Sequence, residues 1–331
     1  MVVATNLSPV AVLIWQVVRM PRQKLFLEDA EIARDKITRD EMRRIEKLYE
    51  DWAKEIEERA RYYQRRGDAF QERYYRELKK QLEESSKAVS RSLYTGIKSS
   101  MFDVSDSVMA SSAQWMRDLG FKGKSVSAAM SAVARREVTN IINGRIYDTG
   151  WSLSARIWGN NNEMLKTLYQ IVGGGYARNE GIYEIASELA QYVNPKAARP
   201  WNLKMADGRK IYPKQVDYNA QRLARTLIQH AYQQSVIDVC RHNPWVQKIR
   251  WVANGSRVCE ICADRDGELY DIDQVPLDHP NGMCVMEPVV DATEDEINDR
   301  LAAWVHGAID EELDDAASWY GFTYGRNKFK W

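Results

Sequence analysis

The sequence predicts a mainly α-helical protein with long N-terminal helices and one small β-containing module near its C-terminal end. Three observations carry this expectation. From Leu25 to about Leu93 the chain has no proline, is dense in Glu, Arg and Lys, and spaces its apolar residues by threes and fours. Residues 96–245 continue as shorter helical patterns separated by turn signals. Past Pro244 the periodicity changes to that of strands, and two extended pieces, "VQKIRWVAN" and "VMEPVV", bracket the segment "RVCEICADRDGELYDIDQVPLDHPNGMC", residues 257–284. That segment holds three of the four cysteines and one of the four histidines.

Bulk composition narrows the classes. The chain has 331 residues, 44% of them hydrophobic and 28% charged, with Lys+Arg and Asp+Glu both at 47. Its mean hydropathy is −0.54. These values imply a buried core and a water-facing surface, and argue against an integral membrane protein. A net charge of +0 provides no global field to draw the chain to nucleic acid or to an anionic membrane, so any DNA contact must be local. The apolar run Val10–Val18 falls well short of the roughly 20 residues that span a bilayer. Arg19, Pro21 and Arg22 follow it where a signal peptide would carry a small-residue cleavage site, so a secreted, disulfide-stapled protein is not expected.

In chain order, residues 1–24 read as an extended apolar arm that needs a partner surface to cover it. Residues 25–95 read as a long helical hairpin or coiled coil. Ile45, Leu48, Trp52, Ile56, Ala60 and Tyr63 form one stripe, and Phe70, Tyr74, Leu78 and Leu82 form a second after Gly67. The charge runs beside them read as solvated faces. Residues 96–245 read as a helical core, with Gly120, Gly123, Asn160–Asn162, Gly173–Gly175 and Pro195–Pro200 as turn signals. The triple glycine is no phosphate loop, because no Lys-Ser/Thr follows at the required spacing and no buried strand precedes it. It reads as a helix end and loop before an amphipathic helix through Ile182, Ile185, Ala186, Leu189 and Val193. From Pro213 to about Arg241 another helix turns Leu223, Leu227, Ala231 and Val239 inward, with Arg222 and Arg225 as one basic edge. Residues 246–292 form the β module, with β-favouring residues at 246, 249 and 252. Residues 293–331 form a helix with the acidic patch "DEELDD" and an aromatic tail containing Arg326, Lys328 and Lys330.

Cys259 and Cys262 form a C-x2-C pair, with His279 and Cys284 following. Three thiolates and an imidazole make a complete tetrahedral zinc set, in which a tight turn brings two sulfurs together and a returning strand brings the other two donors. The fold class is therefore mainly α with a small zinc-stabilised β-containing module (α+β). Free thiols and a redox pair are the alternatives, although a thioredoxin-like pair would need a βαβ neighbourhood that this segment lacks. Cys240, alone on a helix, reads as a small buried apolar residue. An HNH-like zinc-containing nuclease is the enzymatic alternative, with Asp278-His279 as its Asp-His pair. Against it, no later Asn-x-x-His follows, and a ligating imidazole cannot also accept a proton.

The order of these features resembles the phage head-morphogenesis, or Mu F-like minor head protein, family over roughly residues 140–290. The resemblance rests on "RLART" (Arg222, Ala224, Arg225, Thr226), an Asn-Pro turn, "RW", "RVCEIC", "DG", "HPNGMC" and "EPV". Many members carry Cys-x-Cys after His-Pro, where this chain has Gly282 in place of the first cysteine. The resemblance implies a structural minor capsid protein of a tailed phage, without catalysis, assembled in the host cytoplasm and residing in the virion head. Its implied partners are the portal protein and the major capsid protein, with packaged DNA touched only through local basic edges such as Arg222 and Arg225.

Overall fold

The computed structural model describes residues 27–65, 72–119, 121, 126–197, 203–204, 210–211, 216–254 and 258–322. The apolar arm, Gly67, Phe70, Gly120, Gly123, Pro200, Pro213 and the basic end of the tail lie outside the described residues. The architecture is mainly helical with a small three-stranded antiparallel sheet, as the sequence predicts. No helix among the described residues is long and apolar enough to cross a membrane. The described residues fall into two compact units, one drawn from Met1–Lys36, Met101–Thr139 and Gln229–Trp331, the other from Ile37–Ser100 and Asn140–Ile228.

The second of these units is built on a hairpin of α1 (Glu28–Arg65) and α2 (Glu72–Asp118). Its antiparallel register is read from side chains that meet across it. The rings of Tyr63 and Tyr74 lie 4.8 Å apart, Ser85 donates to Glu55 at 3.3 Å, and Arg44 donates to Ser92 at 3.1 Å. The two residue numbers of each pair add to nearly the same value, as in any antiparallel hairpin. The buried stripe of α1 is Ile45, Tyr49, Trp52, Ile56, Ala60 and Tyr63, with Leu48 only half-buried, so Tyr49 takes the inward place expected of Leu48. Tyr74, Leu78 and Leu82 are buried on α2 as expected. The charge runs pair with themselves along the solvated face, as in Lys47–Asp51 and Arg59–Glu55, and such exposed pairs, screened by water, add little to stability.

Three features depart from the sequence reading. No helix ends near residue 95: α2 continues to Asp118, because Ile97, Met101, Val104, Val108 and Met109 keep the inward spacing going. After α3 (Ala128–Ile142), both Asn160–Asn162 and Gly173–Gly175 lie inside one helix, α4 (Leu153–Ala177). Asn161 is tolerated there because its amide is buried and donates to the backbone oxygen of Ser86 at 3.3 Å. Gly175 is there for closeness, since a Cβ would overlap the Ile185 side chain of α5 (Ile182–Val193). Chain reversal falls later, at Asn179 with φ +56°. Gly175→Ala is therefore expected to cost about 1–3 kcal/mol by overpacking. Gly173→Ala, whose Cβ meets nothing, is expected to gain about 0.5–1 kcal/mol from helix propensity. Urea titration of both variants checks the opposite signs. A short ladder of β1 (Leu203–Lys204) with β2 (Lys210–Ile211) completes this unit.

The first unit carries the sheet. α6 (Tyr218–Arg241) leads into β3 (Val246–Val252), which is central, with β4 (Leu269–Asp271) on one side and β5 (Val285–Val290) on the other, all antiparallel. Ile249 and Trp251 are fully buried, while Val252 is half-buried. A register shift between Val246 and Lys248 lets Val246 also face inward, so the buried positions are 246, 249 and 251. Pro288 is accommodated because β5 is an edge strand. Beyond Thr293 the single expected helix is two, α8 (Glu294–Val305) and α9 (Glu311–Tyr320), parted at Gly307, whose φ of +103° is open to glycine. The acidic patch works as a clamp: Asp310 caps α9, and Arg300 binds Asp310 at 2.7 Å and Glu312 at 2.6 Å. Trp319, Tyr320 and Phe322 are buried within the chain, so the start of the aromatic tail belongs to its own core and not to a partner-facing surface.

Candidate metal centre

Cys259 stands at the N-cap of α7 (Glu260–Arg265), and the single helical turn from there to Cys262 aims both thiols the same way. The chain then closes at the Asp266-Gly267 turn, where Gly267 has φ +82° and donates to Trp251 O at 2.8 Å, tying the segment to β3. After β4 the loop 275–284 returns His279 and Cys284. Sγ of Cys259 lies 3.2 Å from His279 Nε2, and Sγ of Cys284 lies 3.3 Å from that of Cys262. The four residues named from the sequence are thus brought together. They form two overlapping triads, Cys259–Cys262–His279 and Cys262–Cys284 with Asp278, in each of which the donor atoms lie within 4.8 Å of one another, and the cluster can hold a metal ion.

The imidazole is oriented for ligation. His279 Nδ1 sits 3.0 Å from Pro280 O, and because a carbonyl only accepts, Nδ1 carries the proton and Nε2 presents its lone pair to the thiols. Hydrogen bonds from the backbone N–H and the thiol of Cys262 lower the Cys259 thiol from its ordinary pKa, favouring thiolate. Cys262 is raised, chiefly by burial and by hydrogen bonds with its neighbouring thiols. Cys240 stays outside the cluster, buried and free, its pKa pushed up by desolvation, in keeping with an inert apolar role.

Asp278 organises the loop. Its buried carboxylate accepts the backbone N–H of His279 at 2.8 Å, that of Cys284 at 3.1 Å and the Gln229 amide at 3.1 Å. Gly282 belongs to the same construction, since a Cβ there would overlap that carboxylate. From α6, Gln229 also donates to Cys284 O at 2.6 Å, His230 Nε2 bonds Asp278 O at 2.9 Å, and Gln233 both accepts the Asp278 N–H at 3.0 Å and donates to Pro276 O. Arg34, with no exposed surface, donates to Gln229 Oε1 and to Cys284 O, both at 3.2 Å, and stacks 4.7 Å over Tyr232.

Arg34, Gln229, His230 and Gln233 were not singled out by the sequence reading. The available signal was "IQHAYQQSVIDV", in which polar residues occupy positions of α6 that are buried nearly all round. The basic edge is uneven: Arg222 is exposed and Arg225 half-buried. No family model matches this chain, and neither a curated protein nor a solved structure matches it.

Proposed function

We propose that this chain is a structural minor capsid protein of a tailed bacteriophage, associated with the portal and acting in head assembly or DNA packaging and delivery, and that Cys259, Cys262, His279 and Cys284 hold one structural Zn²⁺. The observation that carries the reading is the convergence of four protein donors on a loop pinned by buried side chains of α6. Soft thiolates with one imidazole favour zinc, and four protein ligands leave no position for a reactive water. The sulfur separation of 3.3 Å is short of the roughly 3.7 Å edge that zinc–sulfur bonds of ~2.3 Å impose on a tetrahedron, so the thiols need to spread by only about half an ångström. The head-protein assignment rests on the motif resemblance, whose "RLART" and "HPNGMC" elements belong here to α6 and to the loop that α6 holds.

Co-expression with the portal and major capsid proteins of the same phage, followed by particle isolation and a wash at ~0.5 M salt, tests the assignment. The chain should stay with the particles, and its absence from them ends the head reading. Incubation with plasmid and Mg²⁺ or Mn²⁺ should leave the DNA intact. Cutting that is abolished by His279→Ala with zinc retained would replace the reading with the HNH-like nuclease.

Ligand donors must be deprotonated to bind, so metal affinity is expected to fall as pH falls. The lowered Cys259 thiol loses its proton at lower pH than an ordinary cysteine, while the raised Cys262 must release one as the metal enters. Proton release on zinc addition, followed in a weakly buffered indicator solution at pH ~7, checks this. A pH-independent affinity between ~5 and ~8 would contradict thiolate ligation.

A further inference from the structure

We propose that a groove between α2 and α4 is a binding site for a nucleoside phosphate, taken either free or as one residue of a single-stranded nucleic acid. The groove has a volume of about 560 Å³, within the usual range for small-molecule sites. One wall is a single face of α2, where Lys87, Arg91 and Tyr94 follow one another at helical spacing, and the other is the first turns of α4, with Ser154 and Trp158. No acidic residue lines it, and the first turn of α4 has none either, so the positive end of that helix adds to the field of the two cations.

Some exposed cations elsewhere on these helices are paired, as Arg73 is with Glu77 and Lys166 with Glu163. Lys87 and Arg91 form no ion pair among the described residues. Ser90, on the same wall, is only 6% exposed, and its hydroxyl has no hydrogen-bond partner. Trp158 leaves 42% of its surface in water beside them. Two neighbouring cations select an anion, and an open indole beside a tyrosine ring selects something flat. A phosphate joined to a nucleobase has both, with the base stacking on the ring in a way that tolerates any sequence. Inorganic phosphate alone would leave the rings unused.

The full chain would be titrated with a fluorescent penta-thymidine at ~50 mM salt, with thymidine monophosphate and inorganic phosphate as competitors. Two phosphate contacts on a single strand give a slope of log affinity against log salt of about −1.4. Lys87→Gln with Arg91→Gln should bring that slope near zero, and Trp158→Ala should weaken binding about ten-fold at unchanged slope. These side chains are exposed, and far-UV circular dichroism verifies the fold of each variant. Lys54→Gln, the loss of a cation that does not line the groove, should change neither quantity. Competition by the monophosphate identifies free nucleotide as the ligand, and competition by the oligomer alone identifies a strand. No binding, equal effects of the Lys54 and groove variants, or phosphate competing as well as nucleotide with Trp158→Ala silent, would each overturn the site. The measurement uses isolated protein, so its failure and the failure of the head-protein reading are distinguishable.

Discussion

Cys262→Ser is expected to empty the metal centre and unfold the module around it. Cys262 is the one residue that belongs to both donor triads, is 2% exposed, and lies on the turn that starts α7. Metal binding contributes folding free energy where the site does not pre-exist in the unfolded chain, of order 10 kcal/mol for small zinc domains, and one lost ligand removes much of it. Zinc should fall from about one per chain to below ~0.2 by elemental analysis under reducing conditions. Amide exchange over 258–290 should rise by orders of magnitude. Cys240→Ala is the matched control: Cys240 is equally buried but outside the cluster, and its loss should cost only about 1 kcal/mol of packing, with zinc retained. Equal destabilisation by the two substitutions would mean that Cys262 is a packing residue and the centre holds no metal.

The helical hairpin was legible because one stripe of apolar residues repeats at threes and fours over many turns, and a long repeat averages out single exceptions such as Leu48. The four candidate donors were legible because a metal site needs residue type and spacing together, and a C-x2-C pair followed by His and Cys offers both. Punctuation was less legible. Gly173–Gly175 and Asn160–Asn162 look like breaks, yet glycine also serves where another helix comes close, and asparagine where a buried partner awaits it, and only the packed structure separates these uses. The polar shell around the centre was hidden for a related reason. Gln229, Gln233 and Arg34 are ordinary surface residue types, and their burial follows from contacts made 43 to 250 residues away.

That shell makes Asp278 the residue whose loss should be felt most widely while all four proposed ligands are kept. Asp278 is 3% exposed, and its carboxylate collects the backbone N–H groups of His279 and Cys284 on the loop and the Gln229 amide of α6. Asp278→Ala leaves the buried Cys284 N–H unanswered, at about 1–3 kcal/mol before relaxation, frees the part-buried His279 N–H, and leaves the Gln229 amide with Cys284 O alone. A net loss of about 3–5 kcal/mol is expected by urea denaturation, with zinc affinity down about 10–100-fold, because the backbone of two ligands is no longer held. Asp278→Asn should fall between, since its amide keeps one acceptor but turns an NH2 toward a backbone N–H. Gln229→Leu removes a shared partner, so the double substitution with Asp278→Ala should cost less than the two single losses added. Arg34→Met should weaken the loop without emptying the centre, because Arg34 reaches it only through Gln229 and the Cys284 carbonyl. Wild-type zinc affinity in Asp278→Ala, measured by competition with a chelator, would show that the four ligands hold their geometry unaided and that the α6 network serves packing alone.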